Sequence, residues 1–314
     1  MNNKPILHIA SDSIFLNHVY EQFEKSKPGI SDYYIFSDKL KHVKLQENMY
    51  SFQYRDYFSH VLLKAIKKYK CIIIHALTKE HVYLVNKSGF SVTFLWLMWG
   101  ADGLYLNKLK DQWYSPTTKK LITTLNANQR HSYLKKYYHS SFFYRIYYYL
   151  KTGSNPPQLE KSRAIKRFRY IAPVIEQDYY VIKKVINFHA KMLPFSIGSL
   201  NTFFKGYSQA YIKHKEHNIL IGNSADPANN HMDVISYLKK IGFTGKIYCP
   251  LSYGNPKYRD LLCQYGKELF QDQFIPLLEF VPMDKYQAII DSCGIVIMNH
   301  YRQQAMGNII SALY

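Results

Sequence analysis

Two segments near the C-terminal end carry residue types suited to gripping a charged ligand: Ile219-Leu-Ile-Gly-Asn-Ser-Ala-Asp-Pro-Ala-Asn-Asn-His231 and Asn299-His-Tyr-Arg-Gln-Gln-Ala-Met-Gly-Asn-Ile309. Each reads as a short apolar strand that runs into a polar, Gly-containing turn and opens a helix. In an open α/β sheet such a turn places free backbone N–H groups and the positive helix end where a phosphate can sit. Two of them in one half-chain predict a site for a diphosphate. In the first, Gly222 allows close approach to the strand end, Asn223 and Ser224 offer side-chain donors, and Asp226 caps the following helix. In the second, Arg302 has the bidentate geometry for phosphate oxygens, Gly307 gives backbone access, and Asn308 caps the helix or meets the ligand.

Weaker candidates lie in the first half. Asp12 follows the first strand, His75 ends the strand Cys71-Ile-Ile-Ile-His75, and Asp102 follows a strand end and Gly100. Asp102 has the chemistry to act as base on, or to hold, an acceptor hydroxyl. The plainer reading of each is a helix cap or a satisfied polar edge residue. Trp96 and Trp99 alternate with Leu95, Leu97 and Met98 and read as core.

The elements that must position these residues alternate. Strands are expected at Pro5–Ala10, Tyr33–Phe36, Cys71–His75 and Val92–Trp99, with helices at Ile14–Lys25, Asp56–Lys68 and near Lys79–Asn86. A helix is expected from Pro173 to about His189. The second half repeats the rhythm, with strands at Asn218–Gly222, Lys246–Cys249, Leu277–Phe280 and Ile295–Asn299. Asp226-Pro227 and Asn255-Pro256 open two of its helices with a cap and a proline. Further helices are expected at Asp284–Ser292 and from about Gln304. This alternation predicts βαβ units and parallel sheets. The Pro-, Gly- and polar-rich stretch 194–217 predicts an interdomain connection, giving domains 1–205 and 206–314. The second is expected to be incomplete, because the chain stops where a Rossmann-like domain usually continues.

With 314 residues, the chain is long enough for about two domains at ~150 residues each. Its 47% hydrophobic content excludes a disordered protein. The 41 Lys+Arg against 22 Asp+Glu give a net charge of +19, a field that favours polyanions, anionic membrane surfaces or phosphorylated substrates. The 30 Tyr and 18 Phe often neighbour lysines. The segment 132–151 concentrates them, with Lys135, Lys136, Arg145 and Lys151 along it. It reads as a helix lying in a bilayer interface, or as a buried aromatic helix. The four cysteines have no metal-binding spacing, and no stretch reaches the ~20 apolar residues of a membrane-spanning helix.

The ordered motifs GNSADPANNH, PLSYG (Pro250–Gly254), LEFVPMDKY (Leu278–Tyr286) and NHYRQQAMGNI resemble the bacterial 4-acetamidofucosyl transferases, which act in enterobacterial common antigen synthesis. His8-Ile-Ala-Ser-Asp12 and Trp96–Asp102 are similar to segments of the same family. The resemblance implies a GT-B glycosyltransferase with two Rossmann-like domains and parallel sheets facing a central cleft. It implies a dTDP-sugar donor held by the C-terminal domain and an undecaprenyl-diphosphate-linked saccharide acceptor near the N-terminal one. The sugar moved would be a 4-acetamido-4,6-dideoxyhexose of the N-acetylfucosamine type, destined for surface polysaccharide. The enzyme would lie peripherally on the cytoplasmic face of the bacterial inner membrane. Onto this sequence the resemblance carries Gly222, Asn223, Ser224, Asp226, Tyr253, Asn299, Arg302, Gln303, Gln304, Gly307 and Asn308 as donor-binding residues. Ala225 and Ala305 stand where some relatives have Gly. No cofactor or metal is implied, and the sequence has no Asp-x-Asp triplet. Asp102 and His75 remain the catalytic candidates.

Other readings are a transferase using a different nucleotide deoxysugar for O-antigen, or a nucleic-acid-binding protein exploiting the charge and aromatics. No nucleic-acid-binding motif supports the last. A dinucleotide-dependent epimerase or dehydrogenase needs a Gly-rich first turn, which Ala10-Ser-Asp-Ser13 is not.

Overall fold

The computed structural model describes residues 5–89, 91–104, 106, 109–125, 142–153, 155–196, 198 and 216–313. The chain forms two compact units, Met1–Lys108 with Tyr138–Tyr207, and Leu109–Tyr137 with Ser208–Tyr314.

The first unit is built on a seven-stranded sheet. Its strands are β1 (Ile6–Ser11), β2 (Ser31–Phe36), β3 (Met49–Phe52), β4 (Cys71–His75), β5 (Phe94–Met98), β6 (Tyr170–Pro173) and β7 (Lys191–Met192). Their order is β3-β2-β1-β4-β5-β6-β7 and every pair is parallel. Such a sheet is covered on both faces, so its central strands are near-continuous apolar runs: Leu7, Ile9, Ile72, Ile74, Phe94 and Trp96 are all buried. The helix Ile14–Ser26 starts where the Ser13 side chain accepts from Phe15 N, and it buries Leu16 and Val19. Each such side chain withdrawn from water contributes roughly 1.5–3 kcal/mol. The helix expected at 56–68 is instead broken into two 3-10 turns around His60–Ala65.

The second unit has four parallel strands, β8 (Glu216–Ile221), β9 (Ile247–Pro250), β10 (Phe274–Leu277) and β11 (Cys293–Ile297), in the order β10-β9-β8-β11. The helices His231–Lys240 and Pro256–Phe270 cover it through Val234, Ile235, Leu238, Tyr258 and Leu262. The helix Pro116–Leu125 packs Leu121 and Leu125 against the same core. The expected single boundary at 205 puts those residues in the first domain, whereas they group with the second unit.

Both sheets reverse strand order beside their first strand, between β1 and β4 and between β8 and β11. Open α/β sheets bind ligands outside the carboxyl ends of strands at such switch points. The turns after β8 and β11 are the two that sequence singled out. Most of the expected connection at 194–217, and residues 132–141 of the aromatic segment, lie outside the described residues.

Candidate functional site

The chain leaves β8 at Gly222, whose φ is +65° and whose N–H donates to Ile297 O of β11 (3.0 Å). A side chain there would strike the ring of His231 and the Asn229 amide. Asp226 caps as expected, its Oδ1 accepting from Ala228 N (2.9 Å), but it caps a single 3-10 turn, Pro227–Asn229. Asn230 then enters the left-handed region at φ +49°, and the helix begins only at His231. Asn tolerates that backbone conformation better than most residues do.

This detour places three buried side chains behind the turn. Asn229 Nδ2 donates to Ser224 O (3.1 Å) and Asp226 O (3.0 Å), and its Oδ1 accepts from Asn223 N (3.1 Å). Asn230 donates to Asn299 O (3.0 Å) and to Trp113 O (3.2 Å), and accepts from Ser115 N (2.8 Å). Ser115 Oγ in turn donates to Asp233 (2.6 Å). The segment before the helix Pro116–Leu125 is thereby bonded to the floor of the turn. His231 Nδ1 meets Tyr258 OH at 3.2 Å. Asn229, Asn230, His231 and His300 all stand within the two motifs, but their residue types alone assign them no role. The consecutive Asn-Asn after Asp-Pro was the available signal, since a second Asn suggests a left-handed residue.

The turn after β11 comes to meet the first. Arg302 Nη2 donates to Asp226 Oδ2 at 3.0 Å, with the Arg302 side chain 4% exposed and that of Asp226 27%. Gln304 Nε2 donates to Asn223 Oδ1 (2.8 Å), Asn223 Nδ2 donates to Tyr253 OH (2.9 Å), and His300 Nε2 donates to Asn229 Oδ1 (2.7 Å). Tyr253 arrives through a backbone bridge, Ala225 N to Tyr253 O at 2.7 Å and Asn255 N to Ala225 O at 3.0 Å. Gly254, at φ +121°, is required there because a Cβ would lie 2.5 Å from the Ala225 carbonyl carbon. Asn223, Ser224, Asp226, Tyr253, Asn299, Arg302 and Gln304 therefore belong to one hydrogen-bonded cluster.

The remaining expected residues differ. Gln303 contributes its backbone carbonyl, which accepts from Arg302 Nη1 (3.0 Å). Gly307 is exposed, with open space where a side chain would be. Asn308 neither caps a helix nor sits in the cluster: the last helix is Met306–Leu313, and Asn308 lies inside it, donating to Tyr286 OH (2.7 Å). Ala305 holds φ +57°, which explains why glycine suits this position.

In the first unit the catalytic candidates have structural partners. Asp102 accepts from Trp96 Nε1 (2.7 Å), Leu77 N (2.8 Å) and Trp99 N (2.9 Å), so its carboxylate fastens the loops after β4 and β5 together. Burial raises its pKa above the ordinary value, while these donors and Lys161 oppose the rise. His75 is buried, its Nε2 2.9 Å from His8 Nδ1. Burial, followed by the charge of His81, lowers its pKa to about 3. Burial thus keeps the ring neutral near pH 7. Asp12 accepts from the backbone N–H groups of Lys41 (2.6 Å) and Val43 (2.9 Å), which ties down the loop after β2.

Interior histidines occur in both units, and all have depressed pKa values. Burial takes His81 to about 4 and His231 to about 3, and burial with the nearby Arg302 takes His300 to about 4. An unfolded chain binds protons at these rings near the ordinary imidazole value of 6.5, before the folded chain does. Their contribution is therefore present above pH 6.5 and is lost as pH falls toward the folded values. Urea unfolding should show stability declining from pH 7 to pH 5, with more than one proton taken up on unfolding, while carboxylates are still ionised. A flat profile over that window would show that these rings are not held neutral.

Among the described residues, no group of three or more His, Cys, Asp or Glu is arranged to hold a metal, and no helix is long and apolar enough to cross a membrane. Two parallel sheets, with a polar cluster anchored by an arginine at the switch point of the second, define an α/β protein whose candidate ligand site lies at its strand ends. The chain belongs to glycosyl transferase group 56, described as 4-alpha-L-fucosyltransferase, whose family model matches residues 138–313. It is a glycosyltransferase acting as a hexosyltransferase. No curated protein matches it. Among solved structures, a UDP-N-acetylglucosamine 2-epimerase is similar with a TM-score of 0.47 and 9% identity, over 94% of this chain and 73% of that one. The UDP-GlcNAc 2-epimerase of Methanocaldococcus jannaschii gives 0.45 and 11%, over 98% and 80%. Os79 of O. sativa, solved with UDP and deoxynivalenol-3-glucoside, gives 0.44 and 6%, over 98% and 78%.

Proposed function

We propose that this protein moves a 4-acetamido-4,6-dideoxyhexose from a dTDP-sugar to a saccharide linked to polyprenyl diphosphate, for bacterial surface polysaccharide. The observation that carries the donor half is the junction of the two turns, Arg302 to Asp226 at 3.0 Å and Gln304 to Asn223 at 2.8 Å, at the carboxyl ends of adjacent parallel strands. A diphosphate placed there lies in the field of a guanidinium held in position and against the Ser224 side of the turn, the N–H groups of Gly222 and Asn223 being bonded to Ile297 O and Asn229 Oδ1 instead of free as expected. Asn223, Tyr253 and Gln304 offer hydrogen bonds to the sugar or its linkage.

In the reaction the bond from the anomeric carbon to phosphate breaks, and a bond to the acceptor hydroxyl oxygen forms. The acceptor proton passes to water, and dTDP carries away the electron pair of the broken bond. The fixed positive charge of Arg302 stabilises that departing charge, which is the main electrostatic demand of the step. The finer choice of donor and acceptor rests on the motif resemblance, as does a peripheral position on the cytoplasmic face of the inner membrane.

Incubation with dTDP-4-acetamido-4,6-dideoxygalactose and a polyprenyl-diphosphate disaccharide should yield an extended lipid product and free dTDP in equal amounts. Transfer from UDP- or GDP-sugars, with none from dTDP-sugars, would overturn the donor assignment.

A further inference from the structure

We propose that the helix Phe142–Thr152 is the element by which this protein docks on an anionic lipid bilayer, lying in the plane of the headgroups. None of its residues is buried. Phe142, Phe143, Ile146, Tyr147 and Leu150 are 66%, 80%, 44%, 59% and 80% exposed. Among the described residues, nothing seals this helix inside the protein.

The exposed side chains form one face. At about 100° per residue, Phe142, Ile146, Leu150, Phe143 and Tyr147 fall in order within about 140° of arc. Tyr144 and Tyr148 lie on the opposite side, half-buried, with their rings 5.8 Å apart. Arg145 and Lys151 border the apolar arc on either flank. Lys151 Nζ sits 5.8 Å from the centre of the Tyr147 ring, so the cation is held at the edge of the aromatic face. Aromatic rings with flanking long-stemmed cations suit the boundary between acyl chains and headgroups.

Charge selects the occupant. From Gln112 to Leu159 the sequence has no Asp or Glu, while the whole chain carries +19. A second copy would bring the same basic flanks against these, which is unfavourable, whereas an anionic bilayer complements them. The helix is also too short to span: eleven residues reach about 16 Å, against about 30 Å of hydrocarbon. Apolar insertion and basic attraction are the two signals that stable peripheral binding needs.

The inference rests on the peripheral placement proposed above, but is independent of the donor. The full chain should co-sediment with vesicles of equal parts phosphatidylcholine and phosphatidylglycerol, and weakly with phosphatidylcholine alone. The double variants Phe143→Ser/Leu150→Ser and Arg145→Glu/Lys151→Glu should each reduce anionic-vesicle binding by about tenfold or more. Both should bind dTDP as the parent does, because every substituted side chain is exposed. Vesicle binding retained by both variants, or absent from the parent, would overturn the docking role. So would a parent dimer that the variants convert to monomer, which would make this face a self-association surface. Loss of dTDP binding with vesicle binding intact would count against the donor site alone.

Discussion

Replacing Arg302 with alanine is expected to weaken dTDP binding by about 100-fold, or roughly 2.7 kcal/mol. The guanidinium is almost wholly enclosed and is held by Asp226 at 3.0 Å, so it presents a fixed positive charge rather than a mobile one. Truncating a charge that pairs with a ligand in an enclosed site typically costs 2–5 kcal/mol. Asp226, left without its partner, is 27% exposed and can be hydrated, so the fold should survive the change. Asp226→Asn isolates the orienting role, since asparagine caps as well as aspartate and only the charge is lost. That variant should lose about tenfold or less, because Arg302 keeps its charge and gives up one bond that directs it. Calorimetric titration of both variants, with urea midpoints to verify folding, checks the pair. An Arg302→Ala protein within threefold of the parent would remove the arginine from the donor site.

The second large effect concerns stability. Gly222→Ala should destabilise the second unit by about 3 kcal/mol and abolish donor binding with it. Part of that is the left-handed backbone, which costs a non-glycine residue roughly 1–2 kcal/mol. The rest is steric: the new Cβ meets His231 and comes within 2.9 Å of Asn229 Oδ1, which already accepts from Asn223 and His300. Neither buried ring nor amide can retreat without breaking those bonds. Gly242→Ala supplies the control, because Gly242 has φ +67° with nothing within 4 Å of the added carbon. The difference between the two unfolding free energies measures the steric part. Equal values would mean that the packing behind the turn is loose.

The parts of the fold that sequence made readable are those where one physical signal dominates. Cys71–His75 is an uninterrupted apolar run in a doubly covered sheet, and the structure places a strand over those same residues. Asn255-Pro256 is a cap with a proline behind it, and Asn255 accepts from Tyr258 N as that pattern requires. Met49–Phe52 gave no such signal, because it is a four-residue edge strand with only Met49 buried. Tyr170–Pro173 was hidden between a basic run and a helix. The second-unit turns were legible because glycine, a cap and an arginine at strand ends each have few uses. The surroundings of the catalytic candidates were not legible for a different reason. A carboxylate after a strand looks the same in sequence whether it faces a substrate or, as with Asp102 and Asp12, collects the N–H groups of neighbouring loops. Long-range hydrogen bonds decide between the two, and spacing does not encode them. The same holds for Asn229 and His300, which lie 71 residues apart and meet only in the folded chain.

A crystal structure of the protein with dTDP bound bears most directly on the central claim. The diphosphate should lie at the ends of β8 and β11, over the Arg302 guanidinium and beside the Ser224 end of the first turn. A diphosphate bound elsewhere, with both turns making only their present contacts, would contradict it.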